Sequence, residues 1–309
     1  MKEKRASIDI GSNSILLLIA EFEAGKLNVL SKRSEITSLG RELDKNKAFH
    51  SESMDASFAA LKSYVDECSV QGIPSDKIIA TATEAARVAQ NASEFFDKVH
   101  KELNLHINVI SSEAEAFFST KGIFFNSKFN SEIITIMDVG GASTELIKVN
   151  TKSFQILETI SMPIGAVRST QWLNDKLFVQ NLQKVFLDFR SEIDKFQTKE
   201  LYCVAGTVTS LGNMHLQRKE FVEDDVHGLV LKAEDIDNLF KKYSDYSPEQ
   251  FLENFPFLQK RSHSIRGGLH LVYHLMHRLF IKELTISTYG LRFGTLLEGK
   301  ISQEYLHAK

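Results

Sequence analysis

Proline and cysteine are scarce in this chain of 309 residues, which contains four prolines and two cysteines. Because prolines are few and no stretch is of low complexity, the sequence argues against disordered linkers. The two cysteines, Cys68 and Cys203, stand in mainly apolar or helical surroundings and lack the spacing of a metal site. We therefore expect two buried thiols in a reducing compartment.

Long apolar runs and a strong excess of one charge are also missing. The longest apolar run near the start, residues 15–20, is far too short to span a membrane, and no signal peptide precedes it. We therefore expect a cytoplasmic protein with no membrane partner. The net charge of −3 disfavours general nucleic-acid binding, so local arginines and backbone donors would have to hold any anionic substrate.

An internal repeat runs through the sequence in three matched steps. The first is a strand, an Asp-x-Gly loop and a second strand, which begins at Asp9 and recurs at Asp138. The second is a strand, a small-residue loop and a helix, at residues 79–83 and 203–207. The third is a strand followed by a helix, at residues 109–112 and 285–288. Two copies of one unit predict two similar α/β domains that face a cleft.

The length of the chain supports the same division, because 309 residues are many for one hydrophobic core. We expect an N-terminal domain over residues 1–120, joined by a C-terminal helix over 296–309, and a second domain over 121–295. The alternative is one large α/β domain in which the repeat is a chance similarity.

The two loops after Asp9 and Asp138 are rich in glycine and hydroxyl side chains. Successive N–H groups in such a turn form a nest that binds phosphate oxygens, and glycine permits a close approach of the backbone. A single loop of this kind would be a weak signal, whereas two in register are a strong one. We predict phosphate contacts at Ser12, Asn13, Ser14, Gly140, Gly141, Ala142, Ser143 and Thr144.

Acidic residues at the strand ends suggest a metal site. Asp9 and Asp138 are placed to bind Mg²⁺ or another divalent cation, which prefers one or two carboxylates together with phosphate oxygens. Glu145, on the strand that leaves the second loop, could be a further ligand, or it could be a solvated residue on the face of a strand.

The second pair of loops lies where helices begin, and a helix start attracts anions. Gly206 and Thr207 are predicted phosphate ligands, and so is Arg87, whose planar guanidinium suits bidentate binding. The alternative for Arg87 is a surface salt bridge with Glu84. Five further basic residues could line a path for a long phosphate chain: Lys128, Arg168, Arg190, Arg261 and Arg266.

Glu115 is the predicted catalytic base, because it lies early in a helix that follows a strand and could deprotonate an attacking water. The alternative role, compensation of the helix dipole, suits Glu113 better. His270, His274 and His277 share one helix face, but no acidic residue joins them there. A packed helix with satisfied histidines is therefore a better interpretation than a metal site.

Seven motifs, in order and over almost the whole chain, resemble those of the exopolyphosphatase and guanosine pentaphosphate phosphatase (Ppx/GppA) family. They comprise residues 9–14 (Asp-Ile-Gly-Ser-Asn-Ser), 83–91, 110–116, 138–146, 163–168, 206–211 and 290–294. The resemblance implies two ribonuclease H-like domains of the actin/Hsp70/sugar-kinase superfamily. It also implies Glu115 as the base, Asp138 and Glu145 as magnesium ligands, and Arg87 and the loop residues as phosphate contacts.

Several residues depart from the family pattern. Ala142 replaces the third glycine of the second loop, where a methyl group could alter the backbone or hinder phosphate, and His263 stands where an aspartate is usual. Ser112 replaces a glycine and Ala114 a glutamate, whereas Glu115 is retained.

The resemblance implies a hydrolase that releases terminal phosphate from inorganic polyphosphate or guanosine pentaphosphate. The sequence does not choose between these substrates, and the homodimer common among relatives is only an analogy. Two other functions stay open. One is a weakly catalytic sensor that binds guanosine penta- or tetraphosphate. The other is an ATP-dependent kinase of the same fold.

Overall fold

The computed structural model describes residues 2–23, 26–125 and 127–308. Its contacts divide the chain into two compact units. Unit 1 comprises Met1–Gly122 together with Leu291–Lys309, and unit 2 comprises Ile123–Gly290. The domain limits expected from the sequence remain a prediction.

Unit 1 is built on a five-stranded mixed sheet in the order β3-β2-β1-β4-β5. The first three strands are antiparallel neighbours, and β4 and β5 run parallel to β1. The strands are β1 (Glu3–Ile10), β2 (Ser14–Glu23), β3 (Lys26–Ile36), β4 (Ile79–Ala82) and β5 (Ile107–Val109).

Unit 2 repeats this arrangement in a six-stranded sheet, in the order β10-β11-β9-β6-β7-β8. Without β10, which adds an antiparallel edge that the sequence did not predict, the order and the strand directions match those of unit 1. The internal repeat and the fold class are thereby confirmed. The strands are β6 (Ile133–Val139), β7 (Thr144–Asn150), β8 (Gln155–Met162), β9 (Leu201–Val204), β10 (Val230–Lys232) and β11 (Glu283–Ile286).

Helices cover the sheets and carry the loops that follow the parallel strands. In unit 1 they are α1 (Leu43–Asn46), α2 (Ser51–Val70), α3 (Glu84–Val88), α4 (Ala92–Leu103), most of α5 (Ser112–Phe124) and α14 (Leu291–Glu298). In unit 2 they are α6 (Ala166–Asn174), α7 (Phe178–Asp188), α8 (Arg190–Ile193), α9 (Ala205–His215), α10 (Glu223–Val226), α11 (Ala233–Tyr243), α12 (Pro248–Asn254) and α13 (Ser262–Arg278).

Each unit has its own hydrophobic core. The core of unit 1 packs the alternating side chains of β1 and β2, such as Ile8 and Leu17, against Leu61 of α2. Cys68 and Cys203 are buried free thiols, one in each core, as the sequence predicted. Burial raises the pKa of Cys68 to about 12, so this thiol is a weak nucleophile.

The C-terminal helix predicted over residues 296–309 is wrong in its extent. Helix α14 begins at Leu291 and ends at Glu298, because Gly299 adopts a φ of 83° that ends the helix. Beyond it the chain is mostly extended, apart from a 3₁₀ turn at Gln303–Tyr305, and Leu306 bridges to Ile110. None of the helices in the described ranges combines the length and apolar character needed to cross a bilayer.

Candidate functional site

The first loop of unit 1 is a tight turn between β1 and β2. The N–H of Gly11 donates to the carbonyl of Ser14 over 3.0 Å, and a Cβ on Gly11 would lie 3.2 Å from that oxygen. Other carbonyls of this loop are hydrogen-bonded to the chain after β3. The carbonyl of Ser12 accepts from the N–H of Gly40 over 2.7 Å, and that of Asn13 accepts from the N–H groups of Thr37 and Ser38. The segment between β3 and α2 therefore holds this turn through its carbonyl groups.

The corresponding loop of unit 2 closes in the same way. The N–H of Gly140 donates to Ser143 over 3.0 Å, and a Cβ on Gly140 would lie 3.1 Å from the same oxygen. Here the start of α6 holds the turn, because the N–H groups of Ala166 and Val167 donate to the carbonyls of Gly140 and Gly141, each over 2.9 Å.

Both turns also contain backbone N–H groups that can act as hydrogen-bond donors. The N–H groups of Ser12, Asn13, Gly141 and Ala142 donate to none of the residues that the structure describes. Two consecutive N–H groups of this kind in a glycine turn form an anion-binding nest. The arrangement agrees with the predicted phosphate contacts, whose roles remain predictions.

Ala142, the residue that departs from the family pattern, does not distort its loop. The closing hydrogen bond has the same length in both turns, and Ala142 is not among the residues with a positive φ in the described chain. Its carbonyl accepts from Nη1 of Arg168 over 2.6 Å. A methyl group is therefore accommodated here without left-handed backbone.

Thr144 is placed differently from the other loop residues. It is buried as the first residue of β7, and its hydroxyl donates to the carbonyl of Ile164 over 2.6 Å. Because this proton is already donated within the fold, the predicted phosphate contact of the Thr144 hydroxyl would have to replace an existing hydrogen bond.

The three predicted metal ligands are split between the units. In unit 2, Asp138 and Glu145 are direct cross-strand partners on β6 and β7. Glu145 is almost fully buried, and its Oε1 accepts from the hydroxyl of Ser161 over 2.7 Å. In unit 1, the partner of Asp9 on β2 is Leu16, so no second carboxylate lies opposite it.

The carboxylate pair of unit 2 suits magnesium better than a metal that needs a complete protein cage. Within residues 2–23, 26–125 and 127–308, no group of three or more His, Cys, Asp or Glu side chains could hold a metal ion. Magnesium commonly takes one or two carboxylates and completes its shell with water and phosphate oxygens. Asp138 and Glu145 fit that pattern, and Asp9 would supply a single carboxylate.

Arg87 and Glu115, which the sequence singled out separately, form one ion pair. Nη1 and Nη2 of Arg87 each donate to Oε2 of Glu115 over 3.0 Å, and both side chains are largely buried. Nη1 also donates to the carbonyl of Ile110 over 2.9 Å. The signal for this pair was present in the sequence, because both residues follow neighbouring parallel strands, whose carboxyl ends meet at one edge.

The alternative partner of Arg87, Glu84, lies on the same short helix without pairing to it. Oε2 of Glu84 is buried and accepts a hydrogen bond from none of the described residues. The sequence interpretation of a surface salt bridge between Arg87 and Glu84 is therefore not what the structure shows.

Glu113 and Glu115, the two acidic residues in the first turn of α5, have different surroundings. The side chain of Ser111 caps α5 by accepting the N–H of Ala114 over 3.1 Å. Backbone hydrogen bonding at the helix start lowers the pKa of Glu113, with a further contribution from Ser111. Glu113 thus compensates the helix start, whereas Glu115, one turn inside, faces Arg87.

Arg261 covers the third predicted phosphate loop, a contact that sequence reasoning missed. A Cβ placed on Gly206 would lie 1.8 Å from Nη1 of Arg261, so the guanidinium occupies the space over this glycine. Burial lowers the pKa of Arg261 to about 10, which still leaves it protonated at neutral pH. Within the described part of the chain, no acidic side chain pairs with it.

The loop beneath Arg261 is also strained. Ala205, the first residue of α9, has a φ of 75°, a region that residues with a side chain rarely adopt. Thr207 is buried against Gly268 of α13. His263, the other departure from the family pattern, is exposed on the first turn of α13.

The remaining basic residues of the predicted phosphate path do not form one cluster. Arg266 donates to the carbonyl of Ser244 over 2.8 Å. Arg190 lines an open groove of about 780 Å³ together with Arg278 and Phe280. Of the five, Arg168 and Arg261 are the two that contact predicted phosphate loops.

The three histidines of α13 are held by packing and by hydrogen bonds. Nε2 of His270 lies 3.1 Å from the carbonyl of Ser244, and Nε2 of His277 lies 2.9 Å from Oδ1 of Asp237. The rings of His270 and His274 pack against Phe178 and Phe240. The interpretation as satisfied packing histidines agrees with these contacts.

Comparison with known proteins relates this site to a family. The family model described as the Ppx/GppA phosphatase family matches residues 18–302. The bifunctional 3-dehydroquinate synthase/phosphatase of Fusobacterium nucleatum is 31% identical over 96% of the chain and 46% of its own length. The guanosine-5'-triphosphate,3'-diphosphate pyrophosphatase of Pseudoalteromonas atlantica is 26% identical over 96% of the chain and 58% of its own length. The chain spans about half the length of these curated relatives.

Solved structures match over almost their full length. The Ppx/GppA family member of Aquifex aeolicus is 27% identical, with a TM-score of 0.78 over 96% of this chain and 97% of its own. An exopolyphosphatase from Cytophaga hutchinsonii superposes with a TM-score of 0.86 over 97% and 99% of the two chains, and at 24% identity it shows the fold alone. Because the family model covers most of the sequence and the motifs stand on matching loops, the chain belongs to the Ppx/GppA phosphatase family.

Proposed function

We propose that this protein is a phosphoanhydride hydrolase that releases terminal phosphate from inorganic polyphosphate or guanosine pentaphosphate. The observation that carries the proposal is the pair of matching turns after Asp9 and Asp138. Each turn is closed by the same hydrogen bond of 3.0 Å and presents N–H groups without a described partner. The names of relatives support the same chemistry, since three of them are guanosine-5'-triphosphate,3'-diphosphate pyrophosphatases.

The N–H groups of the two turns bind phosphate oxygens, and so does Arg261 over Gly206. The fold holds the two turns in place before substrate arrives, because the loop carbonyls already accept hydrogen bonds from neighbouring segments of the chain. Preorganised donors stabilise the charge that develops on the transferred phosphoryl group, which is the main contribution a protein makes to phosphoryl transfer.

Glu115 orients and deprotonates the attacking water in this proposal. Both guanidinium N–H groups that face Glu115 donate to its Oε2. Substrate phosphate that binds Arg87 competes for these donors and thereby frees Oε2 of Glu115 to accept from the water. The ion pair would therefore couple the occupation of the site to activation of the water.

Asp138 and Glu145 of unit 2 are the residues proposed to hold a divalent cation, and Asp9 is the corresponding carboxylate of unit 1. When bound, magnesium supplies positive charge to the phosphate oxygens of the leaving group. Ser161 fixes the orientation of the Glu145 carboxylate from the opposite side.

The test is the variant Glu115→Gln, which keeps the shape of the side chain but removes the base. We expect turnover on both polyphosphate and guanosine pentaphosphate to fall by about 10²–10⁴-fold. Release of inorganic phosphate from each substrate, measured in parallel, reports the loss and also the substrate preference. Glu113→Gln is the matched control and should retain activity, because Glu113 lies at the helix start instead of facing Arg87. Unchanged turnover of Glu115→Gln on both substrates would sink the proposal.

The alternative of a weakly catalytic sensor had two departures in its favour, Ala142 and His263. Ala142 leaves its turn intact and His263 is exposed, so neither gives that alternative further support. The kinase alternative gains none either, and release of free phosphate without an acceptor would separate it from the hydrolase. A homodimer and a cytoplasmic location remain expectations from the sequence.

A further inference from the structure

The last residues of the described chain lie against the helix that carries Glu115. We call residues 301–308 the C-terminal segment. The carbonyl of Tyr305 accepts from the N–H of Ser111, and the N–H of His307 donates to the carbonyl of Val109, each over 2.9 Å. Leu306 forms an antiparallel bridge with Ile110. The C-terminal segment thus pairs with the end of β5 and the residues after it through one isolated bridge, directly before α5 begins.

Side chains of the C-terminal segment pack on the same helix. The ring of Tyr305 stacks on Phe117 at 5.4 Å with an interplanar angle of 15°, and meets the edge of Phe118 at 4.8 Å. Ile301 joins a small apolar cluster with Ile110, Ala114, Phe118 and Leu291. These contacts hold α5 through Ala114, Phe117 and Phe118, which lie close to Glu115 in sequence.

Residues 110 and 111 connect the C-terminal segment to the ion pair. The carbonyl of Ile110 accepts from the same Nη1 of Arg87 that contacts Glu115. The carbonyl of Ser111 accepts the N–H of Glu115 over 3.0 Å, while the N–H of Ser111 donates to Tyr305. A displacement of the C-terminal segment would therefore move the helix start and the base together.

We propose that the C-terminal segment positions Glu115, with Tyr305 as its main positioning residue. The inference rests on the proposed role of Glu115 as base. The C-terminal segment acts through Ser111, Ile110 and Phe117, and its residues have no part in holding phosphate. Weakening it should lower kcat and leave KM near its original value, because the glycine turns that bind substrate keep their own hydrogen bonds.

The first experiment compares Tyr305→Ala with Tyr305→Phe in the full chain. Loss of the ring should lower kcat for phosphate release about tenfold to hundredfold, as misplacements of about 1 Å do in enzymes. Tyr305→Phe keeps the stacking and the backbone bonds, so it should restore most of kcat. Phe280→Ala removes an exposed ring in unit 2 and should leave kcat unchanged.

A second pair of variants tests the backbone contact. His307→Pro removes the N–H that donates to Val109, whereas His307→Ala keeps it. We expect only the proline variant to lower kcat. Thermal unfolding and circular dichroism show whether each variant is folded, so a loss of kcat in a folded His307→Pro protein is informative even if Tyr305→Ala fails to fold.

The outcomes separate this inference from the proposed function. If Glu115→Gln loses activity but folded Tyr305→Ala and His307→Pro keep their kcat, or change KM alone, the positioning role is wrong and the base stands. If Glu115→Gln keeps full activity, the proposed function fails first. Hydrogen exchange of the amides at residues 114–118 then decides the inference alone. Faster exchange in Tyr305→Ala than in Tyr305→Phe supports it, and equal exchange overturns it.

Discussion

Arg261 illustrates a positive charge that the fold leaves available for an anion. Its guanidinium covers Gly206, burial depresses its pKa to about 10, and its partner is expected to be substrate phosphate. A desolvated cation without an anion costs free energy, and this cost is recovered when an anion binds.

Replacement of Arg261 by Met keeps the length of the side chain and removes the charge. We expect Arg261→Met to raise KM for guanosine pentaphosphate by roughly 10- to 100-fold, the range of a charged hydrogen bond. The melting temperature should not fall, because no charged partner in the described chain is lost. Steady-state kinetics and thermal unfolding measure the two effects.

Arg266→Met is the control for this prediction, since Arg266 donates to a carbonyl on a different segment. It should change KM much less. If Arg261→Met bound substrate as well as the original chain does, the phosphate role of Arg261 would be contradicted.

Arg261 is one of five basic residues that the sequence suggests for a phosphate path, but its contact with Gly206 could not have been derived from the sequence. The contact joins the end of a 3₁₀ segment, where Gln259 has a φ of 45°, to a loop far away in the chain. No periodic pattern encodes that approach. Glycines, strand ends and helix starts follow local rules, which is why Gly11, Gly140 and Glu115 could be placed correctly.

At the scale of single elements, helix α5 is held at its start by one side chain. Ser111 accepts the N–H of Ala114, whereas the neighbouring Ser112 is the first residue of the helix. Only one of the two hydroxyls therefore satisfies a free backbone donor.

Ser111→Ala should lower the free energy of unfolding by about 0.5–2 kcal/mol, the usual effect of a lost N-cap. Ser112→Ala should change it by no more than about 0.5 kcal/mol, as expected for a surface position. Urea denaturation of both variants side by side measures the difference. Equal midpoints for the two variants would show that the cap contributes no stability.

Strands of the repeat such as β4 and β6 were predictable because each is an apolar run that ends at a glycine turn or before a helix. Two elements were not. Strand β10 has only three residues, two of them exposed, so it gives no periodic signal. The predicted helix beyond Glu298 ignored Gly299, whose positive φ directs the chain back to β5. Tertiary pairing decided the conformation of β10, whereas the end of α14 follows from the glycine at position 299.

At the scale of the whole molecule, the two units share a strand order but differ chemically. Among the described residues, the loop aspartate of unit 2 lies opposite a second carboxylate and that of unit 1 does not, and half-buried histidines pack against aromatic rings in unit 2. Burial lowers the pKa of His270 and of His274, with nearby positive groups adding to the effect. Asp245 opposes the change at His270.

This histidine environment predicts a loss of stability in acid. Because the folded pKa values lie below the ordinary value of about 6.5, the unfolded chain binds more protons between the two values. The histidines therefore have no effect well above that pH. Stability is lost as pH falls below it and through the folded pKa values. Urea midpoints at several pH values between about 7.5 and 5 should show the decline.

Variants at two histidines identify its source. His270→Gln can still bond to the carbonyl of Ser244 but does not titrate, so the decline should become shallower. His277→Gln changes an exposed histidine paired with Asp237. The charge of His277 is a smaller cause of the lowered pKa of His274 than burial, so this variant should change the decline much less. A decline of identical slope in His270→Gln and the original chain would contradict the assignment.

The C-terminal segment has a further consequence for the edge of the sheet in unit 1. Edge strands expose unpaired N–H and C=O groups that can pair with strands of other molecules. Residues 305–307 pair with the carbonyl of Val109 and the N–H of Ser111 beside β5. The opposite edge, β3, carries charged side chains at Lys32, Arg33 and Glu35. The contacts that hold the helix of Glu115 therefore also block strand-to-strand aggregation at this edge.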